Sequence, residues 1–145
     1  MKIPVIVVDD ERVDRYTVRR RLARHEDFGE VYEVEAGDRF LEEFFDSNST
    51  REAWRDGPMI LMDINMPRMN GFETVSELER RIAEKKGSNR AIVMMFSSSA
   101  DASDISRAQA FDLVKGYILK PLEDEDVDKI RTVYHGYFGD RGAAN

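Results

Sequence analysis

The chain alternates between two periodicities. Short runs are apolar at consecutive positions, and each is followed by a stretch in which apolar residues recur every three or four positions. The first run, Ile3 to Val8, stops at Asp9-Asp10-Glu11. Continuous β-branched runs of this kind mark strands covered on both faces. Helical spacing follows from Arg12 to His25, with Val18 and Leu22 four apart. Val31 to Ala36 reads as a second, alternating strand, and Phe40, Leu41, Phe44 and Phe45 then return to helical spacing. Ser47-Asn48-Ser49-Thr50 reads as a break, Ala53-Trp54 as a last turn, and Gly57-Pro58 as the terminator.

The pattern then repeats. Met59 to Ile64 is the third strand, and Gly71 to Lys86 is a helix with Phe72, Val75, Leu78 and Ile82 on one stripe. Basic residues followed by Gly87 close that helix, as the helix dipole and the C-terminal turn favour. Ala91 to Phe96 is a strand ending in Ser97-Ser98-Ser99, Asp101 to Phe111 a short helix, and Gly116 to Leu119 the last strand. Glu123 to Phe138 is the final helix, carrying Val127, Ile130, Val133 and Tyr134. Strict alternation of strands and helices predicts an α/β fold: a doubly wound, five-stranded parallel sheet with right-handed crossovers, flanked by five helices. No internal repeat, low-complexity stretch or linker divides the chain, so one domain is expected over residues 1–140, with 141–145 a flexible tail.

Composition narrows the function classes. A formal charge of −7 and a pI near 4.9 argue against nucleic-acid binding, which depends on neutralising phosphates with Lys and Arg. The absence of cysteine excludes disulfides and thiolate metal sites. No run approaches the ~20 apolar residues of a membrane span, and the N-terminus lacks the h-region of a signal peptide. A cytoplasmic protein that does not engage a membrane is the expectation.

The chemistry gathers at the strand ends. In an open parallel sheet, ligands bind beyond the carboxyl ends of the strands. Strand 1 ends in Asp9-Asp10, strand 3 in Asp63, strand 4 in Ser97-Ser98 and strand 5 in Lys120. Each alone has a plain structural explanation: a helix cap, a turn residue, an exposed lysine before proline. Together they bring three carboxylates, a hydroxyl and an ammonium to one edge. Charged groups are rarely left at the end of an apolar run without a partner or a metal, and hard oxygen ligands favour Mg²⁺. A carboxylate is also a recognised phosphoryl acceptor, and phosphoryl transfer needs little beyond positioning and charge neutralisation.

Three motifs make a resemblance specific. Val7-Val8-Asp9-Asp10-Glu11, the stretch Met62-Asp63-Ile64-Asn65-Met66-Pro67-x-Met69-x-Gly71, and Lys120-Pro121-Leu122 resemble the signatures of response regulator receiver domains, over roughly residues 3 to 138. The resemblance implies the flavodoxin-like strand order 2-1-3-4-5 and a two-component signalling role. It implies Asp63 as the phosphoacceptor, with Mg²⁺ held by Asp9, Asp10, Asp63 and the backbone carbonyl of Asn65. It further implies that Lys120 contacts the phosphoryl group, that a serine of the triplet is the switch hydroxyl and Tyr117 the switch aromatic, and that the Lys120-Pro121 bond is cis. Partners would be a histidine kinase or histidine phosphotransfer protein, a downstream protein target, and a second copy in a homodimer. The reading is a stand-alone regulator whose output passes through the surface of helix 4, strand 5 and helix 5. A phosphate shuttle or sink within a phosphorelay is the alternative. Activity would be limited to self-phosphotransfer and autodephosphorylation.

Several points stay open at this level. The family usually has one Thr or Ser followed by a small residue, and three serines leave the register ambiguous. Ser97 is the first polar residue after the apolar run, whereas counting back from Lys120 at the family's commonest spacing gives Ser98. One extra residue in Phe111 to Gly116 reconciles the count with Ser97. The arginines of the first helix, from Arg12 to Arg24, form either a solvated face with local acidic partners (Glu11, Asp14, Glu26, Asp27) or a docking surface. The aromatics Tyr134, Tyr137 and Phe138 are either core or interaction face. An Asp-nucleophile phosphatase is the rival class, but such enzymes usually need a second acid two residues after the nucleophile, where this chain has Asn65.

Overall fold

The computed structural model describes residues 2–46, 57–84 and 90–139. Among them run β1 (Ile3–Val8), α1 (Arg12–Leu22), β2 (Phe28–Val34), α2 (Gly37–Leu41), which continues as a π-helical turn over Glu42–Asp46, and β3 (Met59–Met62). After these come α3 (Gly71–Glu84), β4 (Ile92–Ser97), α4 (Ala102–Gln109), β5 (Val114–Leu119) and α5 (Asp124–Phe138). The sheet is parallel throughout in the order β2-β1-β3-β4-β5, the doubly wound arrangement that the alternation predicts. The order reverses direction between β1 and β3, which is where such sheets place their ligands.

Both faces are covered, so the three central strands are buried at every position. Alternation still decides which helices each residue meets. Ile6, Val8, Ile60, Met62, Val93 and Met95 pack with Phe40 and Leu41 of α2, Phe72, Val75 and Leu78 of α3, and Ala108 of α4. Val5, Val7, Met59, Leu61, Met94 and Phe96 pack with Val18 and Leu22 of α1 and with Val127, Ile130 and Tyr134 of α5. Burying side chains of this size stabilises by about 1.5–3 kcal/mol each relative to exposure. Two helices therefore lie on one face and three on the other.

Local signals set several boundaries. Asp101 caps α4 by accepting from the Ser103 amide at 2.9 Å. Asn70 and Glu73 form a reciprocal pair at the start of α3: the Glu73 amide donates to Asn70 Oδ1 at 2.9 Å and the Asn70 amide to Glu73 Oε1 at 3.0 Å. Glu123 and Asp126 do the same for α5. Each device satisfies N–H groups that the first helical turn leaves without partners.

Some boundaries differ from the sequence reading. Helix α1 stops at Leu22 rather than His25, and β2 begins at Phe28 rather than Val31. The reason lies in the tertiary pairing. Ile3 aligns with Phe28, and the register then shifts before Val5 meets Val31, so the polar Gly29 and Glu30 are carried into the strand by β1. Similarly, Val114 and Lys115 join β5 although their pattern is weak, because Val93 pairs with Val114 before a second irregularity. The predicted features at Ser47 to Trp54, at Lys85 to Asn89 and in the tail lie outside the described residues.

Candidate functional site

Four strand ends build the site, and backbone hydrogen bonds just past the strands aim its side chains. The Asp9 amide donates to the Val34 carbonyl at 3.0 Å, the Asp63 amide to the Val8 carbonyl at 2.9 Å, and the Lys120 amide to the Ser97 carbonyl at 2.9 Å. These three contacts continue the β2-β1-β3 and β4-β5 ladders by one residue. Asp9, Asp63 and Lys120 are thus held as rigidly as the sheet itself. Beyond Asp63 the chain turns sharply, and the Gly71 amide donates to the Ile64 carbonyl at 2.7 Å. A Cβ on Gly71 would lie 2.1 Å from the carbonyl oxygen of Asp63, so only glycine lets α3 start this close to the acid. Arg68, in the same turn, adopts φ of 69° and is held by a two-pronged pair with Asp38 at 2.9 and 3.2 Å.

The sequence-predicted acids converge. Asp9, Asp10 and Asp63 each present an oxygen within 4.8 Å of the others. Asp9 is fully buried and Asp63 is 5% exposed. The Lys120 ammonium lies between them, 2.8 Å from Asp9 Oδ2 and 3.2 Å from Asp63 Oδ1. A cleft of about 400 Å³ opens over this cluster, lined by Asp10, Glu11, Asp14, Asp63, Asn65, Ser98, Lys120 and Pro121. The Lys120–Pro121 bond is cis.

Electrostatics follow from burial and crowding. Desolvation, reinforced by the charge of Asp9, pushes the Asp63 carboxyl up to about 7 despite Lys120 beside it. Desolvation likewise raises Asp9, against the pull of Lys120 and the Glu11 amide. For Lys120, burial works to lower the pKa, but the hydrogen bond with Asp14 and the close carboxylates of Asp9 and Asp63 outweigh it, so the ammonium is held firmly protonated. One cation therefore faces an excess of carboxylate.

The residues fit a divalent cation. Asp9 Oδ2 is buried without an aligned hydrogen-bond donor, although the Lys120 ammonium is within ion-pair distance. An orphaned buried carboxylate oxygen is costly. Together with two further oxygen donors it makes a hard, anionic set suited to Mg²⁺.

The two serine candidates stand at the end of β4 in different settings, and only Ser98 lines the cleft. Ser97 is the last residue of β4, is 1% exposed, and accepts from the Ser99 amide at 3.0 Å. Ser98 is exposed and lines the cleft. Tyr117, half-buried on β5, packs against the cluster of α2, α3 and α4, and its hydroxyl donates to the Ser99 carbonyl at 2.7 Å.

Two contributors escaped the sequence reading. Asp14, in the first turn of α1, accepts from the Lys120 ammonium at 2.8 Å. Arg15 donates to the Asp9 carbonyl at 2.7 Å while pairing with Glu33 at 3.3 Å, which ties the end of β1 to β2. Two more arginines of α1 find partners away from the helix's local acids: Arg19 meets Glu33, and Arg21 meets Glu123 and Asp124. Asp27 pairs instead with Arg131 of α5. The one available hint was proximity, since Asp14 lies in the first turn of the helix that follows Asp9-Asp10-Glu11 directly.

Comparison with known proteins agrees with this geometry. The family model "Response regulator receiver domain" matches residues 5–131. The chain is 34% identical over 120 residues to a chemotaxis protein CheY homolog of Campylobacter jejuni, covering 81% of each. It is 33% identical over 125 residues to the nitrate/nitrite response regulator protein NarL of Escherichia coli, covering 86% of this chain and 51% of that protein. It thus spans about half the length of several curated relatives it matches. A crystal structure of a two-component response regulator from Cytophaga hutchinsonii superposes with a TM-score of 0.72 at 27% identity, covering 93% of this chain and 99% of that one. With its motifs at the ends of β1, β3 and β5 and a family match over most of its length, the chain belongs to the response regulator receiver domains, a family of signalling switches.

Proposed function

We propose that the protein is a phosphorylation-controlled switch in which Asp63 accepts a phosphoryl group from a phosphohistidine of a sensor kinase or phosphotransfer protein. The observation that carries this reading is the setting of Asp63: a buried carboxylate at the mouth of a cleft, with an ammonium 3.2 Å away and two further carboxylates within 4.8 Å. An Asp63 oxygen attacks phosphorus, the phosphorus–nitrogen bond breaks, and the imidazole leaves with its electron pair. The leaving nitrogen is already a competent leaving group, so the protein needs no general acid two residues after Asp63, where Asn65 stands. Bound Mg²⁺ would neutralise phosphoryl oxygens. Asp9, Asp10, Asp63 and the Asn65 carbonyl would hold it, and Lys120 would stabilise the charge on the remaining side.

The product adds about −1.5 to −2 charges beside the end of β4. Ser97 is the proposed switch hydroxyl, with Ser98 as the alternative register. Two-residue alternation puts Ser97 on the face of Met95, the face that Tyr117 packs against. Movement of Ser97 toward the phosphoryl group would be felt by Tyr117, and through it by the surface of α4, β5 and α5. This is a population shift between two states, biased by differential contacts to the phosphoryl group. Tyr137 and Leu119, both about half exposed, lie on that surface. The proposed setting is cytoplasmic; a shuttle or sink in a phosphorelay uses the same site.

Acetyl phosphate or another small phosphodonor with Mg²⁺ is expected to label the protein on Asp63, observed as the mass of one phosphoryl group. Asp63→Ala should remain unlabelled. Labelling that survives in the variant would overturn the assignment.

A further inference from the structure

Lys120 is the hub of the cleft, and its ammonium is shared unequally. It is 2.8 Å from Asp9 Oδ2, 2.8 Å from Asp14 Oδ2 and 3.2 Å from Asp63 Oδ1. The contacts to Asp14 and Asp63 are aligned hydrogen bonds, whereas Asp9 Oδ2 has no aligned donor. Asp9 and Asp63 belong to the group of carboxylates that can share a cation, and Asp14 does not. A divalent cation on that group would share the Asp9 carboxylate with the ammonium. Like charges this close in a partly buried site repel strongly. The ammonium must therefore have somewhere to go.

Asp14 is the place already within its reach. It sits on the first turn of α1, one turn past Asp10, and its side chain is 29% exposed against 0% for Asp9. Retreat toward it carries the ammonium from the buried floor to the mouth of the cleft. A lysine is suited to this, with a compact charge on a flexible four-carbon stem and three rotatable donors. The ladder contact to Ser97 holds the Lys120 backbone, so only the side chain need swing.

We propose that Asp14 is a positioning residue for Lys120: it draws the ammonium off Asp9 Oδ2 when a divalent cation occupies the Asp9-Asp10-Asp63 cluster, and keeps it beside Asp63, where a phosphoryl group would arrive. The second half rests on the phosphoacceptor reading above; the first half needs only a cation. Without Asp14 the ammonium stays over Asp9 and Asp63 and competes with the cation directly.

The test is calorimetric titration of the full chain with Mg²⁺ alone. Asp14→Asn should weaken Mg²⁺ binding about fivefold, and Asp14→Glu should restore it to within about twofold. In a Lys120→Gln background, with no ammonium to position, Asp14→Asn should change the affinity by less than about twofold. Lys120→Met serves as a second background should Lys120→Gln fail to fold. Equal weakening in both backgrounds would reduce Asp14 to a distant charge and overturn the proposal, as would unchanged affinity in Asp14→Asn. A wild type that binds no Mg²⁺ would overturn both this inference and the cation reading of the site. Mg²⁺ binding of the expected pattern, with no phosphoryl label on Asp63, would sink the phosphoacceptor reading while upholding the role of Asp14 toward the cation.

Discussion

The Tyr117 hydroxyl donates a 2.7 Å hydrogen bond to the carbonyl of Ser99, two residues beyond the buried Ser97. The Ser99 amide in turn donates to Ser97 Oγ, and the Ser99 hydroxyl donates to Asp104 of α4 at 2.8 Å. One short loop thus joins the end of β4, the aromatic of β5 and the start of α4. Removing the hydroxyl with Tyr117→Phe should cost about 0.5–1.5 kcal/mol, read by chemical denaturation. Labelling of Asp63 by a small phosphodonor should be unchanged, because Tyr117 is not among the groups that line the cleft. Loss of labelling in Tyr117→Phe would place the ring in the chemistry rather than behind it.

The two serines should separate by experiment. Ser97→Ala removes a buried acceptor and leaves the Ser99 amide to find another partner, so it should destabilise by about 1–2 kcal/mol. It should also uncouple phosphorylation from partner binding while Asp63 is still labelled. Ser98→Ala, at an exposed position, should be close to neutral in stability. If Ser98→Ala alone abolishes phosphorylation-dependent binding, the register moves to Ser98.

Asp63 is expected to destabilise the metal-free protein. Its carboxyl is raised from 3.8 to about 7 by burial and by Asp9. Between those values the folded protein keeps a proton that the unfolded chain has lost, so stability falls as pH rises through that window and levels off above about 7. Asp63→Asn, in chelator, should therefore be more stable than wild type by about 2–4 kcal/mol at pH 8, with the gain shrinking toward zero near pH 4. Thermal unfolding against pH reads this directly. Adding Mg²⁺ should recover most of the deficit in wild type and little in the variant. A gain independent of pH would assign the effect to packing instead.

Gly71→Ala probes the turn that follows the acid. The added methyl would meet the Asp63 carbonyl oxygen at 2.1 Å and the Ile64 Cα at 3.0 Å, and backbone cannot yield as a flexible side chain does. A loss of about 2–3 kcal/mol is expected, together with slower labelling of Asp63 because its backbone must shift. Normal stability and labelling would show that the start of α3 moves freely relative to β3.

The candidate site was legible in the sequence wherever chemistry sits at the end of an apolar run. Asp9, Asp63 and Lys120 each follow continuous hydrophobic residues, and parallel strands in one sheet present their carboxyl ends together. Asn65 and Pro121 were readable from the motifs around them. Asp14 and Arg15 were not, because they sit on a helix crowded with charge, where spacing alone does not distinguish a solvated acid from one that reaches across to β5. The partners of Arg19 and Arg21 were not legible for the same reason: Glu33, Glu123 and Asp124 are near them only once β2 and α5 have packed.

By itself, the sequence determined the order of elements, the parallel sheet and which residues stand at its active edge, because hydrophobic periodicity and strand termini are local properties. It determined the start of α3 and of α4 through Asn70 and Asp101, whose capping acts within a few residues. Tertiary structure alone decided the beginning of β2 at Phe28 and of β5 at Val114, where weakly patterned residues become strand by pairing with β1 and β4. It also decided the sharing of one ammonium among Asp9, Asp14 and Asp63. That balance depends on distances of about 3 Å between residues far apart in the chain, at a cleft floor where Asp9 and Asp63 are buried.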